Sequence, residues 1–302
     1  MENSRRTFLK NSAFAIAGSA LFSDTIFALS RPRQTVGVQL YSVRDDMKKD
    51  PLGTLKQLVG MGYKVVEHAN YVNRKFYTYT AMEFRKVLDD LGLKMLSGHT
   101  VLHPQHWNEA RKDFSSSWKY TVEDAAAVGQ IYVISPSLEE SWRKTLDDLK
   151  RSMDIFNRCG ELCKKSGLTF GYHNHDFEFR QKLNDVPLYD LILKNTDPKW
   201  VCQQLDIGNL YNGGTTALDV LSRFPGRFQS LHVKDEVKAA SGNPLYESTV
   251  LGNGIVQVKD VIDQAKKSGT SLFIVEQEAY QGKDPIESVK EDLGVMKSWG
   301  YY

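Results

Sequence analysis

The sequence predicts an α/β chain folded as a single-domain (β/α)8 TIM barrel, and three observations carry that expectation. Eight apolar runs of strand length alternate with eight helical patterns, five of those patterns close on Gly with a strand run directly after, and about 270 residues hold the whole series. The junctions read Met61-Gly62-Tyr63, Leu91-Gly92-Leu93, Val128-Gly129-Gln130, Ser166-Gly167-Leu168 and Ser268-Gly269-Thr270. Gly there supplies the left-handed turn that ends a helix, and the next residues enter a strand.

Taken in order, the first strand run, 35–41, contains Val36-Gly37-Val38-Gln39-Leu40-Tyr41. No Gly-rich phosphate-binding turn follows it, which argues against an open doubly wound sheet. The second run, 63–68, ends Val65-Val66-Glu67-His68, and the third, 93–99, ends Ser97-Gly98-His99 with His103 and His106 soon after. The fourth spans 130–135, and the fifth, 168–173, runs into Tyr172-His173-Asn174-His175-Asp176-Phe177-Glu178. The sixth, 201–206, ends Gln203-Gln204-Leu205-Asp206 with Asn209 behind it. The seventh, 228–233, ends Leu231-His232-Val233-Lys234-Asp235, and the eighth, 271–276, ends Val275-Glu276-Gln277-Glu278. Short apolar runs of this kind suit strands buried on both faces of a parallel sheet. Between the fourth and fifth, Leu146, Leu149, Met153, Phe156, Gly160 and Cys163 recur at spacings of three and four, an apolar stripe made to cover such a sheet.

The barrel is expected over residues 31–302, after an export signal over 1–30. Arg5 and Arg6 precede the short apolar segment Ala13 to Phe22, too short to span a bilayer, and with Phe8 and Leu9 they resemble a twin-arginine signal. The expected location is therefore the bacterial periplasm, with cleavage between Ala28 and Arg33 and no membrane attachment afterwards. Removing residues 1–30 leaves 36 basic and 35 acidic groups out of the 39 and 37 in the full chain. So balanced a surface offers no footprint for nucleic acid. Three cysteines cannot build a disulfide framework, and Cys159, Cys163 and Cys202 fall in predicted core positions as small hydrophobes. A homo-oligomer is compatible with this composition.

In such barrels chemistry sits at the C-terminal ends of the strands. All seven histidines lie at or just beyond strand ends, where scattered surface histidines would fall on helices too. Imidazole and carboxylate together suit Mn, Zn, Co or Fe better than Ca or Mg. Four strand-end groups, His173, Asp206, His232 and Glu276, offer one ligand from each of four consecutive strands and leave open positions, as a catalytic metal site requires. His175 and Glu178 are expected to orient ligands or touch substrate.

These strand ends, with the Leu251-Gly252-Asn253-Gly254 loop, resemble the xylose isomerase-like TIM barrels, the sugar phosphate isomerase/epimerase family. The resemblance covers nearly all of residues 34–300. It implies a divalent metal held by Glu, Asp, His and Glu from strands five to eight, three of whose places fall on Asp206, His232 and Glu276. The strand-five place holds His173 instead of Glu, and Asn209 stands where many relatives have His. In epimerases of the family two opposed glutamates shuttle a proton across a carbon beside a carbonyl; here one of the pair is missing.

The expected function is thus a divalent-metal-dependent sugar isomerase/epimerase acting by proton abstraction beside a carbonyl. Glu276 or Glu278 is the expected base. His99 and Glu67 are candidates for acid or hydroxyl contacts, and Lys234 would stabilise developing charge unless it merely pairs with Asp235. Tyr41, Trp107 and Tyr280 would stack on a sugar or pack the rim, with His68 and Asn209 as further substrate contacts. Loss of the second glutamate leaves a β-elimination, a 3-keto-glycoside lyase, as the alternative, and a non-catalytic sugar-binding barrel as an alternative of another class. The partner throughout is a small sugar or glycoside, and the absence of a Gly-rich turn with Lys argues against a sugar phosphate.

Overall fold

The computed structural model describes residues 34–302; the export-signal reading falls on residues outside them. Eight parallel strands form the barrel: β1 (Thr35–Gln39), β2 (Val65–His68), β3 (Lys94–His99), β4 (Tyr132–Ser135), β5 (Thr169–His173), β6 (Val201–Asp206), β7 (Phe228–Val233) and β8 (Leu272–Val275). Each lies inside the run the sequence predicts. They close in the order β1-β8-β7-β6-β5-β4-β3-β2, so every strand pairs with its chain neighbours and β1 with β8.

Eight longer helices alternate with the strands: α1 (Pro51–Met61), α2 (Ala81–Asp90), α3 (Ser116–Val128), α4 (Leu146–Lys165), α5 (Leu188–Asn195), α6 (Ala217–Arg223), α7 (Val258–Lys267) and α8 (Pro285–Ser298). The five junction glycines all have positive φ, from 68° at Gly92 to 112° at Gly62, as helix closure demands. Among the described residues no helix is long and apolar enough to cross a membrane.

The apolar residues divide into two clusters. The larger lies between strands and helices and includes the α4 stripe Leu149, Met153, Phe156, Cys159 and Cys163. The smaller is Val65, Leu272 and Ile274 with Leu96 and Tyr132. Residues two apart on a strand share a face, so Val65 shares Glu67's and Ile274 shares Glu276's. The barrel interior is therefore apolar at its lower end and polar at its mouth. Two register shifts, between Val66 and Glu67 and between Gln203 and Gln204, fall where the polar part begins. A bulge of this kind re-aims the side chains beyond it. All three cysteines are buried and unbridged.

Two positions test how tightly this frame is built. A Cβ on Gly160 would lie 2.2 Å from the Trp200 carbonyl oxygen, so only Gly lets α4 approach the start of β6. Gly160→Ala is expected to lower stability by about 1–3 kcal/mol in urea unfolding. On α8, Asp292 Oδ1 accepts from the Leu251 N–H at 2.9 Å, Oδ2 has no partner among the described residues, and burial pushes the carboxyl up to about 8. With the folded value raised, the native state binds the extra proton between about pH 4 and 8, so this site's contribution is lost as pH rises through that window. Asp292→Asn is expected to remove that slope from the pH dependence of the unfolding midpoint.

Candidate active site

The mouth is organised from below by Glu67, which has no exposed surface. Its Oε1 accepts from Gln39 Nε2 at 2.7 Å and His232 Nε2 at 2.6 Å, with His99 Nε2 at 3.1 Å. Its Oε2 accepts from Ser97 Oγ and from Gln204 Nε2, the latter at 2.9 Å. Burial opposes the charge, but His99 and His232 outweigh it and hold the carboxyl well below the usual range. Because Gln204 must turn its NH2 to this carboxylate, its Oε1 faces His99 Nε2 at 2.8 Å and His173 Nδ1 at 3.1 Å. A carbonyl oxygen only accepts, so both facing nitrogens carry protons, and His173 is left with a lone pair on Nε2.

Above this layer, acidic groups and one lysine converge. His232 Nδ1 lies 3.0 Å from Glu276 Oε2 and 4.0 Å from Asp206 Oδ2, and His173 Nε2 lies 3.9 Å from Asp206 Oδ2. Lys234 is fully buried, with Nζ 3.1 Å from Asp206, 2.8 Å from Glu276 and 3.1 Å from Glu278. The expected alternative of a surface pair with Asp235 does not hold. Asp235 instead accepts from the N–H groups of Gly252, Gly254 and Val256 and so pins the loop after β7. Burial favours neutral His232, but Glu276 and Glu67 push it up to about 10, and Glu276 is itself held well below the usual range by Lys234 and His232 against its burial.

Do these residues fit a divalent metal? The ligand atoms of Asp206, His232 and Glu276 lie within 4.8 Å of one another, as do those of His99, His173 and His232. Ligands about 2.0–2.1 Å from one ion in a tetrahedral shell stand about 3.3 Å apart, close to the separations above. Asp206 Oδ2 is buried and accepts no hydrogen bond from the described residues, although the Lys234 ammonium is 3.1 Å away. Four carboxylates, Glu67, Asp206, Glu276 and Glu278, face two cationic side chains, Lys234 and His232. The donor set and the surplus of negative charge both fit a divalent cation, with His232 oriented from behind by Glu67.

A cavity of about 470 Å³ opens over this group, lined by Tyr41, His99, His173, His175, Glu276 and Glu278 among others. Other candidates lie elsewhere. Glu67 is the floor's hub rather than a substrate contact. His68 is buried edge-on to Phe76 and tight against Gly98, where a Cβ would sit 1.9 Å from its ring. Glu178 accepts from Tyr172 Oη and the His175 N–H, holding the turn after β5, with burial raising it to about 7. Asn209 accepts from Lys234 at 3.2 Å. Tyr280 donates to the Ser42 carbonyl at 2.6 Å and tethers two loops, while Trp107 packs edge-on to Phe114 with its N–H on Glu109; both are rim packing.

Gln39, Ser97, Gln204 and Glu236 complete the site without having been expected. The first three are polar residues inside otherwise apolar strand runs, and Gln204 stands two before Asp206 on the same face; that interruption is the signal that could have found them. Glu236 follows Asp235, and burial raises it to about 8.

Comparison with known proteins places this geometry. Inosose dehydratase of Geobacillus thermodenitrificans is 29% identical over 154 residues, 46% of this chain and 48% of that protein, so the chain spans about half the length of this curated relative. A sugar phosphate isomerase/epimerase from Parabacteroides distasonis superposes with a TM-score of 0.75 at 26% identity, over 88% of this chain and 96% of the other. The IOLI protein, solved with a zinc atom, shares the fold (TM-score 0.68, 13% identity, 89% and 99% of the two chains). The family model for the xylose isomerase-like TIM barrel matches residues 55–299, and with its closed barrel and polar mouth this chain belongs to that family.

Proposed function

We propose that the protein is a divalent-metal-dependent enzyme that removes a proton beside the ketone of a keto-sugar or keto-cyclitol and expels a β-substituent. The carrying observation is the asymmetry of the cavity. Glu276 and Glu278 come from β8, whereas His99, His173 and His175 come from β3 and β5, which flank the opposite strand β4. Of the groups not needed for a metal, Glu278 therefore faces His99 and His175 across the cavity.

A divalent ion held by Asp206, His232, Glu276 and His173 would supply Lewis acidity toward the ketone oxygen. Glu278 is the better base of the two expected. Its side chain is 41% exposed on the cavity wall, while Glu276 is buried between Lys234 and His232, which hold it ionised at the cost of basicity. Glu278 takes the proton from the carbon, the C–H electrons form the C=C bond, and the β C–O bond breaks. The departing oxygen takes a proton from His175, on the cavity wall opposite Glu278. Lys234 stands beside Asp206 and Glu276 as a fixed positive charge for the developing enolate.

The names of the inosose dehydratases support elimination. The second reading, isomerisation or epimerisation after the same proton removal, is favoured by the likeness to the Parabacteroides distasonis protein, and here it would return the proton from an imidazole. The export reading of residues 1–30 remains part of the proposal and is checked by fractionating expressing cells.

Two measurements bear on this. In chelator competition, Asp206→Asn and His232→Ala are expected to lose stoichiometric Zn or Mn binding, whereas Lys234→Met should bind roughly tenfold tighter, having lost a cation beside two ligand oxygens; metal retained by the first two variants sinks the assignment. In heavy water, an inosose is expected to exchange its α-proton and yield a dehydrated product, with Glu278→Gln slower by about 10²–10⁴ at unchanged metal affinity. Exchange without dehydration selects the epimerase reading, and binding without exchange the sugar-binding barrel.

A further inference from the structure

The mouth cavity is one arm of a longer cleft. A second cavity of about 600 Å³ shares Ala69, His99 and Val101 with it and runs away from the carboxylates between the loops after β2 and β3 and the face of α3. Its wall is preformed. Asn73 and Arg74 both adopt left-handed backbone, φ 51° and 61°, at the two-residue tip of the small sheet after β2, a conformation that Asn accepts readily but that costs Arg74 and needs support from its surroundings. That support comes from Asp124 on α3, nearly buried, which accepts from Arg74 Nε at 2.9 Å, Arg74 Nη2 at 2.6 Å and Tyr71 Oη at 2.6 Å. The guanidinium then lies over the Tyr120 ring, 4.3 Å from its centroid. Arg74 Nη1 has no hydrogen-bond partner among the described residues, so a pair of donors borders the second arm beside the two tyrosines.

Charge decides what such an arm takes. Arg74 is neutralised by Asp124, and His103 is paired with Glu139 at 2.6 Å. Among the described residues an anion would find no uncompensated cation there. A neutral group rich in hydroxyls would find fixed donors, aromatic edges and the side chains of Asn70 and Thr100. We propose that the second arm binds a neutral sugar ring joined to the ring that reacts at the mouth, so that the preferred substrate has two rings. This rests on the reading of the mouth as the reacting site, but the arm itself is testable without any reaction.

The test is binding of unoxidised, non-reacting sugars, measured by ligand-observed NMR on the whole protein: a panel of neutral disaccharides against their methyl monosaccharides. The wild type is expected to bind at least one disaccharide roughly tenfold or more tighter than its monosaccharide. Tyr120→Ala, an exposed position, and Ser117→Trp, which fills the arm, should each abolish that advantage while leaving monosaccharide binding and the thermal midpoint unchanged. Equal binding of one-ring and two-ring ligands by the wild type, or an advantage that survives both substitutions, overturns the proposal. Failure of α-proton exchange at the mouth with the disaccharide advantage intact would sink the reaction and leave the arm standing.

Discussion

Taking a carboxylate out of water costs several kcal/mol even after the protein relaxes, unless partners replace the lost hydration. Glu67 is entirely inside the barrel, and five side chains from β1, β3, β6 and β7 reach it. Much of the mouth follows from meeting that requirement. His232 gives its Nε2 proton to Glu67 and so turns Nδ1 toward Asp206 and Glu276. Gln204 gives its amide protons to Glu67 and so turns its carbonyl to His99 and His173. One buried charge thereby orients three imidazoles, which is what a metal or proton-transfer site must control.

The same requirement explains the strand register. Glu67 pairs with Gln39 on one side and Ser97 on the other, Gln204 with His173 and Ser230, and Asp206 with His232. These are neighbouring positions in the sheet, so the hydrogen bonds between side chains and those between backbones specify one alignment. A one-residue slip would turn these groups out of the barrel and leave Glu67 without donors. The register shifts at Val66/Glu67 and Gln203/Gln204 lie at the lower edge of this polar layer, where Val65, Leu272 and Ile274 give way to it.

The eight strands were legible because they are apolar runs, five of them entered directly from a helix-closing glycine, a signal that depends only on nearest neighbours. Residues at strand ends were legible as a class for the same reason. Their individual depth was not. Glu67 and His68 end one strand and look alike in sequence, yet the first faces the barrel axis and the second faces Phe76 outside it. Alternation tells that two adjacent residues point apart but not which points inward, and on β3 the extra residue Leu96, opposite Val66/Glu67, breaks even that count. Lys234 reads equally as a charge stabiliser at the mouth or as a surface partner of Asp235 until the loop amides of Gly252, Gly254 and Val256 are seen to occupy Asp235. Pairings between strands far apart in the chain were beyond the reach of a local pattern.

His173 stands where the resemblance to the family's epimerases leads one to expect a glutamate, and the network shows what holds a histidine there. Gln204 Oε1 needs a donor at position 173, because Gln204 Nε2 is committed to Glu67. A carboxylate there would face a carbonyl oxygen and be repelled. Turning the amide over would satisfy the new carboxylate but would present the carbonyl to Glu67 and withdraw an acceptor from His99. Glu67 would then lose a donor while staying buried, at a cost of about 1–3 kcal/mol or more for a charged group. Position 173, Gln204 and Glu67 therefore form a unit, and a strand-five histidine follows from the buried carboxylate across the barrel. The one-sided placement of carboxylates at the mouth, and with it the case for elimination over two-base epimerisation, traces back to the same group.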